Sequence, residues 1–159
     1  MKNRNLLFAL LTVVTIMFAG VIGNSGTLYA QDNGVVTVQS KKSFTETIDE
    51  AKKLVAKNGM MVLSEINQGK ILSMTGIDVK GTSLFVGNPQ VGNKLFSADR
   101  GAGLVVPVRL NIYEGTDGKT YINYVKPSFQ FETFKNDKIN KIAGMLDQKL
   151  EMLTGMLSK

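Results

Sequence analysis

The residue types best suited to binding chemistry lie between positions 109 and 123, in two stretches that alternate apolar and polar residues. Such alternation is typical of strands with one buried face. It places four candidate ligand contacts on the other face: Arg109, Asn111, Tyr113 and Asn123. A guanidinium among amides could hold a carboxylate or phosphate through paired hydrogen bonds. Equally, it could pair with an acidic side chain and fasten the sheet to a loop, with the tyrosine serving only as cover.

The segment from Gly87 to Gly92 is a second candidate site. It follows a predicted strand and opens a predicted helix, a position at which backbone N–H groups can hold an anion. Its glycine spacing fits neither the Walker nor the dinucleotide fingerprint. Because of this position between a strand and a helix, we predict Asn88 and Gly92 as further candidate ligand contacts. The alternative is structural, with Asn88 as the helix N-cap, Pro89 as the first helical residue and the glycines as turn residues.

Catalytic chemistry is restricted by composition, because the 159 residues include no His and no Cys. Their absence removes Ser-His-Asp and Cys-His catalysis, His or Cys metal sites and disulfides. Among the 13 acidic residues, only Glu65 and Glu114 lie at predicted strand ends, where a catalytic pair would form. We predict no catalytic residue, no cofactor and no metal site. An enzyme that works without imidazole or thiol is the least favoured alternative.

Methionine thioethers are a further type of metal ligand that this sequence offers. Met145, Met152 and Met156 share one stripe of a predicted helix, and thioethers bind Cu(I). Methionines on a helix stripe more commonly fill irregular apolar contacts. We favour the packing interpretation and keep copper as its alternative.

The candidate face depends on the register of a hairpin predicted to be formed by residues 104–125. Gly118 stands where a three-residue loop needs a left-handed residue. Pairing Gly115 with Lys119 then aligns one apolar and one polar face. It sets opposite each other Ile112 and Ile122, Leu110 and Tyr124, Asn111 and Asn123, and Tyr113 and Tyr121.

Other elements follow from periodicity and capping. Ser43 and Glu46 form a capping box before a helix that Gly59 ends. This helix separates two predicted strands, and Asn67 caps a further short helix. The predicted strands outside the hairpin are residues 35–38, 60–63 and 83–86. We therefore predict an α+β fold with a mainly antiparallel sheet of about five strands and a strand-helix-strand opening.

A long amphipathic helix is predicted over residues 137–157. Its apolar residues are spaced by four, three, four, three and four, and a neighbouring stripe carries the methionines. Together the stripes occupy about half of the helix circumference. Such a helix either sinks deeply into its own domain or also contacts a partner.

The N-terminus, residues 1–30, has the layout of an export segment. Lys2 and Arg4 precede an apolar run over residues 6–22, and a cleavage site is predicted after Ala30. The alternative is an uncleaved anchor, because roughly 17 apolar residues is the lower limit for spanning a bilayer. Either way, residues 31–159 are predicted to form a single domain outside the cytoplasmic membrane, periplasmic or secreted.

Net charge gives little support for a nucleic-acid partner. The full chain carries +6, but without Lys2 and Arg4 only 17 basic residues remain against 13 acidic ones, a surplus of about four. No stretch interleaves basic and aromatic residues as a strand-binding surface would. We read this charge as a solubilising surface.

The order of motifs between residues 43 and 127 resembles the bacterial family called domain of unknown function 302. The resemblance rests on Ser43-Phe44, Gly59, Glu65-Ile66, Phe85-Val86-Gly87-Asn88-Pro89, Gly92, Ala102-Gly103-Leu104, Pro107, Arg109, Tyr113-Glu114, Gly118, Tyr124 and Pro127. It implies a small α+β domain with a mainly antiparallel sheet and a tendency to form homodimers. It implies no reaction and no catalytic residues. The export segment and the helix 137–157 are interpreted as additions to this family pattern.

Together these features predict an exported, non-enzymatic module that binds a small ligand or a protein partner. The alternative is an assembly protein whose helix 137–157 dimerises or rests on a membrane surface.

Overall fold

A computed structural model describes residues 33–158. The strands are β1 (Val35–Gln39), β2 (Met61–Asn67), β3 (Gly81–Gly87), β4 (Val108–Glu114) and β5 (Thr120–Val125). The α-helices are α1 (Phe44–Lys57), α2 (Gln68–Ser73), α3 (Pro89–Ala98), α4 (Pro127–Gln130) and α5 (Asp137–Leu157), and 3-10 turns cover Arg100–Leu104 and Glu132–Phe134. The predicted export segment lies outside the described residues.

One antiparallel sheet carries the fold, with the strand order β1-β5-β4-β3-β2. Strands β2 to β5 follow each other as a meander, and β1 pairs with the last of them. The two strands that flank α1 therefore lie at opposite edges of the sheet. The α+β architecture and the five antiparallel strands predicted from the sequence are confirmed.

The residues predicted to begin and end α1 and to begin α2 do so in the structure. The Ser43 hydroxyl accepts from the Glu46 backbone N–H and the Glu46 carboxylate accepts from the Ser43 N–H, which completes the capping box of α1. Gly59 ends the segment with φ +67. The side chain of Asn67 accepts from Lys70 N–H and starts α2. Single capping residues therefore predicted these helix boundaries.

The main core lies between one face of the sheet, α1 and the C-terminal half of α5. The sheet supplies side chains such as Leu84, Leu110 and Ile122, each fully buried. From α5 come Leu150, Leu153 and Leu157. Because these three leucines of α5 are buried in the core, the helix packs on its own domain.

A second, smaller cluster lies under the N-terminal half of α5. Leu95 of α3 and Phe131 of the connecting segment are fully buried there beside Ile139 and Ala143. Phe131 is thus part of this cluster, whereas Phe129 of the same connecting segment stays 41% exposed. Within residues 33–158, no helix is long and apolar enough to cross a membrane.

Candidate functional site

The hairpin of β4 and β5 presents its polar residues on the face of the sheet opposite the core. The register is the predicted one, with Asn111 opposite Asn123 and Tyr113 opposite Tyr121. Gly118 occupies the turn with φ +73, and the Gly115 N–H donates to the Lys119 carbonyl at 2.8 Å. Turn chemistry therefore fixes which side chains share the outer face.

A hydrogen-bonded row crosses three strands of this face. The Ser83 hydroxyl lies 3.4 Å from Asn111 Oδ1, and Asn111 Nδ2 donates to Asn123 Oδ1 at 3.1 Å. Asn111 and Asn123 are half-buried, while Ser83 is buried. The row holds the two amides in fixed orientations and leaves the Asn123 amide N–H groups without a partner among the described residues.

Arg109 lies one side chain along β4 from this row and is exposed. Its cross-strand neighbour is Phe85 of β3. Within residues 33–158 the guanidinium makes no hydrogen bond or ion pair. Glu114 and Glu65 pair with lysines instead, since Glu114 lies 2.8 Å from Lys80 Nζ and Glu65 lies 2.7 Å from Lys52 Nζ.

These residues line a concave pocket of about 340 Å³, which we call the Arg109 pocket. Its floor is the outer face of the sheet, with Arg109, Asn111 and Asn123 as the polar groups. Its rim comes from outside the sheet, with Leu104 of a 3-10 turn and Gln130 of α4. The Gln130 amide donates to the Val125 carbonyl at 3.0 Å, which holds that rim against β5. The remaining wall is apolar, and it includes Phe85 and Val125.

Tyr113 lies on the same face but does not line the Arg109 pocket. It stacks on Tyr121, with ring centroids 5.6 Å apart. The Tyr121 hydroxyl donates to Asp117 Oδ2 at 2.8 Å. This hydrogen bond raises the pKa of Tyr121 and lowers the pKa of Asp117. The tyrosine pair thus extends the face towards the hairpin turn.

None of the residues from Gly87 to Gly92 lines the Arg109 pocket. Asn88 caps α3 with Oδ1, which accepts from Gln90 N–H at 2.8 Å and Val91 N–H at 3.1 Å. Its Nδ2 donates to the Gly59 carbonyl at 2.7 Å, tying the segment to the end of α1. The first N–H groups of α3 are therefore satisfied within the chain. Asn88 and Gly92 instead border an apolar groove.

The remaining candidates do not converge on a reaction centre. Glu65 and Glu114 lie on different strands and each pairs with its own lysine. Within residues 33–158 no three acidic side chains cluster as a metal site. The stripe of Met145, Met152 and Met156 is exposed along α5.

Sequence reasoning missed the walls of the Arg109 pocket. Leu104 is 87% exposed in a 3-10 turn, and Gln130 ends a four-residue helix. Neither short segment carries enough periodicity to place its side chains. The one available signal was Pro127, which ends β5 and starts the segment that returns Gln130 to the sheet.

Comparison with known proteins supports the fold described above. The family model for DUF302, a domain of unknown function, matches residues 36–158. The match includes α5, so this helix is part of the family domain rather than an addition to it. A crystal structure of an uncharacterised conserved DUF302 protein from Bacillus stearothermophilus superposes with a TM-score of 0.74 at 22% identity. It covers 79% of this chain and 98% of the other.

Curated relatives carry a different kind of name. Two proteins named fluoride-specific ion channel FluC 1, from Brucella suis biovar 1 and Brucella abortus biovar 1, are 32% identical to this chain over 99 residues. The match covers 62% of this chain but only 39% and 37% of theirs. The chain thus spans about two-fifths of the length of these relatives.

Proposed function

Since this chain belongs to the DUF302 family, whose function is unknown, we propose that it is a non-enzymatic module that binds a small anion in the Arg109 pocket. The observation that carries this proposal is the guanidinium of Arg109, which lies in a concave pocket without a partner among the described residues. The expected ligand is a carboxylate or a phosphate.

The chemistry of the pocket favours an anion with two acceptor oxygens. A guanidinium presents parallel N–H groups that match the spacing of carboxylate or phosphate oxygens. The amide of Asn123 adds N–H donors on the same face that have no partner within residues 33–158, since its Oδ1 is the atom bonded to Asn111. The apolar side chains Phe85 and Val125 lower the local dielectric, which strengthens the attraction between opposite charges.

The expected location is outside the cytoplasmic membrane, carried there by residues 1–30. This part of the proposal rests on the basic start and apolar run of the sequence. The names of the Brucella relatives make fluoride a further anion worth testing.

The proposal is tested by isothermal titration calorimetry with succinate, inorganic phosphate and fluoride as probes. Arg109→Met should weaken binding of the preferred probe by about tenfold or more, as loss of a bidentate charged contact does. Arg100→Met is the matched control, because Arg100 is also exposed but does not line the Arg109 pocket. Native mass spectrometry of protein purified from its own compartment would show a retained ligand.

Two results would overturn the proposal. One is the absence of binding for all three probes together with no retained anion in the native spectrum. The other is equal binding by the parent chain and Arg109→Met.

A second candidate function is assembly through α5. It is favoured by the exposed methionine stripe, in which Met145, Met152 and Met156 are 62%, 45% and 42% exposed. Replacing all three by Gln should lower the oligomeric state in analytical ultracentrifugation or abolish flotation with anionic vesicles. Deletion of α5 is not a suitable test, because its leucines belong to the main core.

A further inference from the structure

An apolar groove of about 220 Å³ shares one lining residue, Pro107, with the Arg109 pocket. The end of β3 and the start of α3 form one wall through Val86, Gly87 and Val91, and α5 forms the opposite wall through Leu146 and Leu150. Almost all of its lining is apolar. We call it the Lys149 groove, after the one charged residue that lines it.

A β-bulge brings an apolar side chain into the Lys149 groove. The register of β2 against β3 shifts between Val62 and Ser64, which leaves Leu63 as the extra residue. A bulge re-aims the side chain that it carries. Leu63 consequently lies beside Gly87, where a Cβ would stand 3.1 Å from the Leu63 Cδ1 and 3.7 Å from the Pro107 Cβ.

Two apolar side chains that line the groove are about half exposed to solvent. Leu63 is 53% exposed and Phe96 is 45% exposed, although both line a concave surface. Covering such side chains with an apolar ligand is favourable, because it removes apolar area from water. The groove therefore offers apolar area that the domain does not cover by itself.

Among the described residues, Lys149 supplies the only charge in the lining of the groove. It is half-buried on α5 and makes no ion pair or side-chain hydrogen bond within residues 33–158. Lysine commonly lays its methylene stem on apolar surface while its ammonium remains in water. An ammonium at the edge of an apolar groove is complementary to a ligand with an apolar body and an anionic end.

We propose that the Lys149 groove binds a single-chain amphiphile with an anionic head group, namely a free medium-chain fatty acid anion. The acyl chain lies between Leu63, Val91 and Leu146, and the carboxylate meets the ammonium of Lys149. The volume of the groove is below the roughly 300–1,000 Å³ of drug-sized pockets, which suits one slender chain. This site is separate from the Arg109 pocket, and neither proposal depends on the other.

Isothermal titration calorimetry with decanoate, below its critical micelle concentration, tests the proposal directly. The parent chain should bind decanoate with a negative heat-capacity change, the sign of buried apolar area, and should not bind acetate at this site. Lys149→Met keeps the apolar stem and removes the charge, so decanoate binding should weaken by about tenfold. Lys141→Met is the matched control on an exposed position of the same helix outside the groove.

Gly87→Ala locates the ligand. The added methyl narrows the groove between Leu63 and Pro107, so decanoate should bind more weakly to this variant than to the parent chain and to Lys141→Met. No decanoate binding by the parent chain would overturn the proposal. Equal binding of decanoate and the uncharged decanol, or equal binding by the parent and Lys149→Met, would also overturn it.

Discussion

Asn111 and Asn123 face each other across β4 and β5, and the Nδ2 of Asn111 donates to the Oδ1 of Asn123 at 3.1 Å. This bond fixes the orientation of both amides beside Arg109. It also determines that Asn123 offers N–H donors rather than its carbonyl to the Arg109 pocket. The two asparagines therefore differ in their contacts: Asn111 also lies within hydrogen-bond distance of Ser83, whereas Asn123 presents the N–H groups assigned to the proposed anion.

The first prediction concerns the strength of this pair. Asn111→Ala and Asn123→Ala should each lower the free energy of unfolding by about 1 kcal/mol, because each leaves a half-buried partner without its hydrogen bond. The double variant should lose less than the sum, with a coupling of at least roughly 0.5 kcal/mol. Urea denaturation followed by circular dichroism measures all three.

Thr37→Ala is the control for this cycle. Thr37 lies opposite Asn123 on the same face but is exposed and makes no side-chain hydrogen bond within the described residues. Strict additivity of the two asparagine substitutions would show that the bond contributes nothing to stability.

The hairpin was predictable because its register depends on local residues. Gly118 sets the turn, and the alternation around it admits one register that keeps Leu110, Ile112 and Ile122 inside. The long helix was likewise predictable from the spacing of its leucines, and its observed bounds are the predicted ones.

The order of the strands was not predictable from such signals. Pairing of β1 with β5 joins residues far apart in the sequence, and no local pattern encodes that choice. The Arg109 pocket was not predictable either. Its rim includes Leu104 of a 3-10 turn and Gln130 of α4, which both lie outside the hairpin strands. For Gly87–Gly92, the sequence suggested an anion site formed by the segment's own backbone N–H groups. The structure instead shows an apolar groove beside this segment, and α5, which is distant in the sequence, forms part of its lining.

A second prediction distinguishes the two faces of α5. Leu153 is fully buried, whereas its neighbour Met152 is 45% exposed. Leu153→Ala should destabilise the domain by about 2–5 kcal/mol, as cavity-forming changes in cores do. Met152→Ala should change stability by no more than about 0.5 kcal/mol. Thermal and urea unfolding of the two variants provide the measurement, and similar losses for both would contradict the assignment of the faces.

A third prediction uses two glycines in helices. Gly144 lies inside α5, and a Cβ built there meets no heavy atom of residues 33–158 within 4 Å. Gly144→Ala should therefore stabilise the domain by about 0.5–1 kcal/mol, since alanine loses less backbone entropy on folding. Unfolding in urea would reveal this as a higher midpoint with an unchanged slope.

Gly69→Ala is the opposing case. Gly69 is buried in α2, and its Cβ would collide with the backbone carbonyl of Val79. This variant should be less stable than the parent chain, because a carbonyl of the backbone cannot move aside as a flexible side chain can. Stabilisation by both substitutions would contradict the close approach of α2 to residue 79.

The fourth prediction concerns alkaline pH. Burial raises the pKa of the Tyr124 hydroxyl above its ordinary value of 10.0, and the residue is only 4% exposed. The folded chain therefore keeps this proton at pH values where the unfolded chain has lost it, so this contribution to stability falls as pH rises above about 10. Tyr124→Phe has no hydroxyl to titrate and lacks that contribution to the decline. We expect the unfolding free energy of Tyr124→Phe minus that of the parent to increase with pH, when both are measured at intervals from below to above about pH 10. A difference that stays constant across the range would contradict the burial of a titrating hydroxyl at this position.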